Sequence, residues 1–454
     1  MSAIQWDNSL IEKYNINGPR YTSYPTALAL SEPFPVVKVN NALTDSNDPL
    51  SLYIHLPFCV KLCYYCGCNK VITRHQGKAD KYLDYLEQEI QQYAQIIQQR
   101  RVRHLHLGGG TPTFLDETQL TRLMDMLKKH ARLEVSDAHE ISIEIDPRSC
   151  SLDKLAHLRK LGFNRVSFGV QDFDERVQIA INRVQEEPMI RALVAESKKL
   201  GFTSINLDLV YGLPHQSRES FQYTLNKVIE LDPDRISLFS YAHLPGRFSA
   251  QRKIKDSWLP QAADKLGLLQ DGIEAFTGAG YQFIGMDHFA KPDDELAIAQ
   301  REGRLQRNFQ GYTTHGSDCL LGLGVSSISQ INGVIWQNVK ELPDYYKKVG
   351  AGILPVVKGV ELSADDETRA ALIAQVICHF TLDIPAFEQQ QNLDFFSYFS
   401  EAIERLQPFT EDGLVEINEN RLSVTPAGRL WVRSICSAFD AYLHDGQQRY
   451  SKVV

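Results

Sequence analysis

Between residues 50 and 245 six short apolar runs alternate with longer helical patterns, and that rhythm leaves few folds open. The runs are Ser51–Leu56, His104–Leu107, Glu140–Ile145, Arg165–Val170, Ser204–Val210 and Arg235–Ser240. Each is short enough for a strand and rich in β-branched or other apolar residues. Helical patterns lie near 78–100, 117–132, 151–161, 187–200, 217–231 and 260–279. A strand, a helix and a second parallel strand cross over in the right-handed sense, which puts the helices outside a parallel sheet. A closed barrel needs eight such units, and six are legible. The expected fold class is α/β, an incomplete (βα)6 parallel barrel whose open side admits a large substrate. A flat doubly wound sheet is the rival, which strand count does not exclude.

The flanks read differently. Residues 1–35 show no periodicity and form an expected N-terminal arm, residues 36–320 the main α/β domain, and residues 321–454 a mostly helical, winged-helix-like domain with a small hairpin. In that last part Ser363-Ala-Asp-Asp366 has capping-box chemistry, Gly413–Val424 reads as a hairpin, and Thr425-Pro426 reads as the opening of a final helix. Fold outline alone does not license DNA binding. A net charge of -8 disfavours non-specific attraction to nucleic acid and to anionic membranes. The first residues lack a secretory pattern and no apolar stretch reaches spanning length, so the expected compartment is the cytoplasm, without membrane insertion.

Of the eight cysteines, four fall between positions 59 and 68, which reads as a metal site and not a disulfide framework. Cys150, Cys319, Cys378 and Cys436 read as buried apolar residues. In Cys59-Val-Lys-Leu-Cys63-Tyr-Tyr-Cys66 three thiolates can each take one iron of a [4Fe–4S] cluster, and the fourth iron stays open to a ligand other than protein. Cys68 could in principle close a four-cysteine site, but two thiolates one residue apart can hardly reach different irons. A zinc-bound structural module using His55 and the cysteines is a separate reading.

The chemistry-bearing residues sit where βα units gather reactive groups, at the C-terminal ends of strands. The cysteine loop follows the first strand, and the second runs into Gly108-Gly109-Gly110-Thr111-Pro112, whose bare backbone can approach a ligand closely. Glu144 and Asp146 end the third strand, Gln171 and Asp172 follow the fourth, Arg183 lies just beyond, and Asp208 is near the end of the fifth. The carboxylates could accept bonds from ribose hydroxyls or an ammonium, and Arg183 could hold a carboxylate in its planar fork.

Together these residues resemble the radical S-adenosylmethionine superfamily. Tyr53-Ile-His-Leu-Pro-Phe-Cys-Val-Lys-Leu-Cys-Tyr-Tyr-Cys-Gly-Cys-Asn69, Pro19-Arg-Tyr-Thr-Ser-Tyr-Pro25, Gly285-Met-Asp-His-Phe-Ala290 and Asn308-Phe-Gln-Gly-Tyr-Thr-Thr314 are similar, within it, to the oxygen-independent coproporphyrinogen III oxidases. The chain departs from that family at Val60, where histidine is common, and at Tyr65, where phenylalanine is common.

The resemblance implies oxidative decarboxylation of two propionates of coproporphyrinogen III to vinyl groups, giving protoporphyrinogen IX without dioxygen. It implies Cys59, Cys63 and Cys66 as cluster ligands and two bound molecules of S-adenosyl-L-methionine. Tyr53, Gly109, Glu144 and Ile328 would serve one molecule, and Tyr65, Gly110, Thr111, Gln171, Arg183, Asp208 and Ala242 the other. Tyr24, His55 and Cys68 are candidate catalytic residues near the reacting group. Arg20, Arg247, Arg252, Lys253 and Arg307 are candidates for holding propionates, because anions need fixed cations where water is excluded. A small electron-donor protein such as a flavodoxin or ferredoxin is expected, as is a monomer. A haem-binding chaperone on the same scaffold remains the alternative.

Overall fold

The computed structural model describes residues 10, 13–14, 18–45, 48–97, 100–136, 138–315 and 319–443. Six strands form at the expected places: β1 Leu50–Leu56, β2 Val102–Gly109, β3 Glu140–Ile145, β4 Arg165–Gln171, β5 Ser204–Tyr211 and β6 Arg235–Ser240. They pair in sequence order, every neighbouring pair parallel. That order decides between the two sheets left open above. A doubly wound sheet reverses at a switch point and carries helices on both faces, whereas right-handed crossovers that all step the same way put every helix on one face.

The crossover helices are α1 Gly77–Ala94, α2 Glu117–Ala131, α3 Leu152–Leu161, α4 Glu187–Lys199, α5 Arg218–Leu231 and α6 Ala262–Gly278. Short polar side chains start several of them. Asp116 and Gln119 form a capping box at α2, Ser217 and Ser220 one at α5, and Ser151 accepts the Lys154 N–H at α3. Each such cap contributes about 1 kcal/mol and fixes where the crossover leaves its loop.

On the far side of β1 the sheet continues. Strand β7, Cys319–Leu323, pairs with β1 in parallel, and β8 Ile328–Ile331, β9 Val334–Asn338 and β10 Val356–Glu361 follow in antiparallel order. Apart from Cys319 and Leu320, these strands lie in the stretch expected to be part of a helical C-terminal domain. Strands β7 and β9 are buried at every residue, so they show no alternation of apolar and polar side chains that would mark them as strands.

The chain divides into two compact units, one of Ser31–Ala279 with Ser317–Glu361, the other of Met1–Leu30, Gly280–Gly316 and Leu362–Val454. The expected boundaries at 35 and 320 do not coincide with this division. In the second unit the arm is held by Arg433, whose guanidinium donates to the carbonyls of Pro19 (2.9 Å) and Gly18. Helix Ala364–His379 opens with the expected Ser363/Asp366 capping box, and the hairpin strands Val415–Ile417 and Arg421–Val424 pair beside Thr381–Asp383. Thr425-Pro426 does not open the last helix. Thr425 Oγ1 closes a turn by accepting the Gly428 N–H, and the α-helix is Val432–Ser437. Cys150, Cys319, Cys378 and Cys436 are buried. Among the described residues no helix is long and apolar enough to cross a membrane.

One carboxyl group lies in the core of the first unit. Glu89 of α1 is fully buried and accepts from the Tyr345 hydroxyl (2.6 Å), the Gly324 N–H (2.8 Å) and Asn338 Nδ2 (2.8 Å). Nearby Tyr82 donates to the His55 carbonyl (2.7 Å) and accepts the Val325 N–H (3.0 Å), so α1 ties the end of β1 to the turn after β7. Burial pushes the Glu89 carboxyl up to about 7, although its three donors favour the charged form. The folded chain therefore holds this proton more tightly than the unfolded chain, and stability from Glu89 falls as pH rises from about 4.5 to about 7. Glu89→Gln removes that titration. Relative to Glu89→Gln, the native chain should lose melting temperature across this interval and level off above it, as read by thermal denaturation at stepped pH.

Candidate active site

The cysteine loop is closed at its base by backbone bonds. Strand Phe58–Cys59 pairs in parallel with Val71–Ile72, and the Thr73 N–H reaches the Cys59 carbonyl at 2.9 Å. Further along, the Tyr64 N–H bonds the Ile181 carbonyl (2.9 Å) and Asn182 Nδ2 the Leu62 carbonyl (2.8 Å). The loop is thus fixed at both its root and its crown.

The glycine turn after β2 lies directly against that root. The Gly110 N–H donates to the Leu56 carbonyl (2.8 Å), and a Cβ on Gly110 would stand 2.6 Å from the Pro57 carbonyl group. Gly109 has φ +112°, and a Cβ there would fall 2.7 Å from the His55 ring. His55 lies behind the turn, with Nε2 3.0 Å from the Asn69 carbonyl and Nδ1 3.1 Å from the Tyr53 hydroxyl. A carbonyl only accepts, so Nε2 carries the proton and Nδ1 accepts from Tyr53. Burial lowers the His55 pKa, which keeps the ring neutral in that role.

The strand ends and the cysteine loop enclose a cavity of about 380 Å³. Cys59, Cys63, Cys66, Cys68, Tyr65, Gly109, Gly110, Thr111, Glu144, Gln171, Arg183, Asp208 and Ala242 all line it. Other candidates stand elsewhere. Tyr53 stacks on His106 behind Glu144, and His55 sits under Gly109. Ile328 pairs with Gln337 in β8 and does not line this cavity. Tyr24, Arg20 and Arg307 belong to the other unit, where the Tyr24 hydroxyl accepts the Ala441 N–H and Arg20 pairs with Asp287 at 2.7 Å. Arg252 donates to the Pro245 carbonyl (3.1 Å) and Arg247 lies over the Phe248 ring.

Donors surround the sulfurs. Thr111 Oγ1 is 3.3 Å from Cys59 Sγ, Arg148 and Arg183 lie 3.3 and 3.4 Å from Cys63 Sγ, and the Cys68 N–H is 3.4 Å from Cys66 Sγ. The Cys68 thiol, with Lys70 beside it, holds Cys66 below the usual thiol range, whereas burial pushes Cys59 up to about 11. Asp146 bridges the two arginines, 2.6 Å from Arg148 and 3.0 Å from Arg183. Burial opposes its ionisation, yet the two guanidiniums outweigh that and hold it down at about 2.

On the opposite wall Glu144 accepts the Gly109 N–H at 3.2 Å. Asp208 accepts from Ser167 Oγ (2.9 Å) and Asn206 Nδ2 (2.7 Å), and burial with the nearby Glu144 charge pushes it up to about 6. Gln171 follows a register shift in β4 and has φ +68°, which turns its side chain off the strand's alternation. Two residues of the site had no assigned role in the sequence. Arg148 completes the Asp146 bridge, and Gln251 donates from Nε2 to the carbonyls of Tyr65 (2.9 Å) and Ala242 (3.2 Å), tying the cysteine loop to the segment after β6. A lone glutamine in a single 3-10 turn, Ser249–Lys253, carries no pattern that could have marked it.

The Radical SAM superfamily profile matches residues 53–228, and the HemN C-terminal domain profile matches residues 362–431. Oxygen-independent coproporphyrinogen III oxidase of Salmonella typhimurium is 55% identical, and that of Escherichia coli K12 is 53% identical, each over 99% of both chains. The chain belongs to the oxygen-independent coproporphyrinogen III oxidase family. The solved E. coli coproporphyrinogen III oxidase, described as a radical SAM enzyme, superposes with a TM-score of 0.94 at 52% identity, covering 97% of this chain and all of that one. A second oxidase, from Pseudomonas aeruginosa, is 48% identical over the full length of both chains.

Membership of the radical SAM superfamily implies a [4Fe–4S] cluster and S-adenosylmethionine. The donor set fits both. Three thiols of CxxxCxxC spacing face one cavity, each with an N–H or O–H aimed at sulfur, as cluster thiolates require. The zinc reading loses its histidine, because both ring nitrogens of His55 are already engaged. Since Gly110 meets backbone that cannot swing aside, Gly110→Ala should push the turn off the cysteine loop. After anaerobic reconstitution, iron and sulfide per chain should fall by more than half relative to the native protein.

Proposed function

We propose that this chain performs the oxygen-independent oxidative decarboxylation of two propionates of coproporphyrinogen III, giving the two vinyl groups of protoporphyrinogen IX. The observation that carries this reading is the gathering of Cys59, Cys63 and Cys66 with Glu144, Arg183 and Asp208 around one cavity, on a chain alike to these oxidases from end to end. When bound, the cluster and S-adenosylmethionine supply a 5′-deoxyadenosyl radical that can take hydrogen from a propionate β-carbon.

The chain's own residues bind, orient and exclude water. Cys59, Cys63 and Cys66 would hold three irons, and Cys68, whose N–H donates to Cys66 Sγ, would stay outside the ligand set. Arg183 directs N–H groups to Asp146, Cys63 and the Gly169 carbonyl, a fixed posture in which one N–H and the guanidinium charge are left to meet a methionine carboxylate. Asp208 and Glu144 would accept from hydroxyl or ammonium groups of S-adenosylmethionine, with Gly109, Gly110, Thr111, Gln171, Tyr65 and Ala242 shaping the wall. Two molecules of the cofactor, a cytoplasmic setting, a monomeric state and a small protein electron donor complete the reading. His55 is better placed to position Asn69 and Tyr53 than to touch substrate.

Anaerobic incubation of the reconstituted protein with coproporphyrinogen III, dithionite and S-adenosylmethionine should yield a tetrapyrrole lighter by two steps of about 46 mass units, each CO2 plus two hydrogens. Cofactor cleavage without release of CO2 would remove this substrate from consideration. Stable stoichiometric haem binding without turnover would support the chaperone alternative instead.

A further inference from the structure

A second cavity, of about 480 Å³, backs onto the first and shares with it Cys59, Lys61, Thr111 and Asp146. Its wall carries four cations, Lys61, Arg74, Arg148 and Lys154, against one carboxylate, Asp146, which is already bonded to Arg148 and Arg183. This local sign runs against a chain whose net charge is -8. Among the described residues neither Lys61 nor Arg74 has an ion-pair partner, and both are exposed. Apolar surface adjoins the cations. Val60 is 40% exposed, and Ile72, the register partner of Cys59, is 42% exposed. A small apolar centre beside unpaired charges of one sign is the make-up of a transient, electrostatically steered protein contact.

We propose that this face is where an acidic one-electron carrier protein docks, with its redox group directed at Cys59. The inference rests on the functional reading above and extends it, by assigning the side through which electrons arrive. One electron passes from the carrier to the iron–sulfur site, the carrier leaves one electron more oxidised, and no covalent bond to the chain forms or breaks. Cys59, with Lys61, Thr111 and Asp146, belongs to the wall that the two cavities share. The carrier thus approaches the metal site from the side opposite Glu144 and Asp208, without entering the reaction cavity.

The test uses the reconstituted holoenzyme, an acidic flavodoxin as probe, and the exposed positions Arg74 and Ile72. Titration calorimetry should show the Arg74→Glu/Ile72→Asp variant binding flavodoxin about tenfold more weakly than the native protein, with a shallower dependence on salt. Arg74→Lys should stay within about twofold of native affinity, as conservation of charge requires. Cleavage of S-adenosylmethionine driven by dithionite should be unchanged in all three proteins. Native-like flavodoxin affinity in the double variant, or binding indifferent to salt, would overturn the proposal, as would flavodoxin binding unaffected by the substitutions while the cavity takes up inorganic phosphate. Failure of dithionite-driven cleavage in the unsubstituted protein would instead overturn the functional reading beneath it.

Discussion

The carboxylate of Asp146, held between the buried Arg183 and the half-buried Arg148, is the contact on which the site's geometry depends. Arg148 and Arg183 both reach Cys63 Sγ, and two cations brought to one sulfur would repel each other without a charge between them. Asp146 supplies that charge, and its own burial cost is met because both arginines bond it directly. From this centre the bonds run outward. Arg183 grips the Gly169 carbonyl at the end of β4, and Arg148 reaches the Asn182 carbonyl at 3.4 Å, beside the Asn182 amide that holds the cysteine loop. The segments at the ends of β3 and β4 are therefore fixed relative to one thiol. Removing one partner of such a buried group typically costs about 3 to 5 kcal/mol.

The opposite flank is fixed by shape and neutral hydrogen bonds. Gly109 and Gly110 let the turn after β2 come within a bond's reach of β1, and neutral His55 fills the space behind them. Tyr82 holds the His55 carbonyl, and Glu89 holds the turn after β7 from the same helix. Glu144 and Asp208 are the carboxylates that this wall presents to the cavity. The cation-rich side around Cys63 and the neutral side around His55 meet at the cysteine loop.

Much of this was legible in the sequence because parallel βα topology sends the C-terminal ends of successive strands to one edge. Six such runs send Glu144, Gln171, Arg183 and Asp208 toward the loop after β1, and all four line one cavity with the cysteines. Strand ends fell within two residues of the apolar runs, and the Ser363 cap was readable because capping is local chemistry. Strands β7 to β10 were not readable as such, since a continuous run such as Cys319–Leu323 suits a buried strand and a buried helix alike. Nor does sequence say which unit an arm joins; Tyr24 and Arg20 are each bonded within the unit that also holds Leu362–Val454. Glu89 was invisible for another reason. It sits among glutamines and glutamates on an amphipathic helix, and only the three donors converging on it distinguish it from a solvated residue.

The cavity's charge distribution also restricts how a ligand can lie in it. Arg183, Lys61 and Lys70 line it near the sulfurs, while Glu144 and Asp208 line it at the ends of β3 and β5. Asp208 lies close enough to Glu144 for that charge to raise its pKa, and the two carboxylates together disfavour an anion on their side. A ligand with a carboxylate at one end and hydroxyls at the other therefore has one favourable orientation, carboxylate toward the arginine and hydroxyls toward the acids. Reversal would set the ligand's carboxylate against Glu144 and Asp208 and forgo its attraction to Arg183, and juxtaposed like charges cost several kcal/mol. The polarity follows from which strand ends carry acids and which segments carry arginines, so the order of the βα units itself sets the direction in which a zwitterionic cofactor enters.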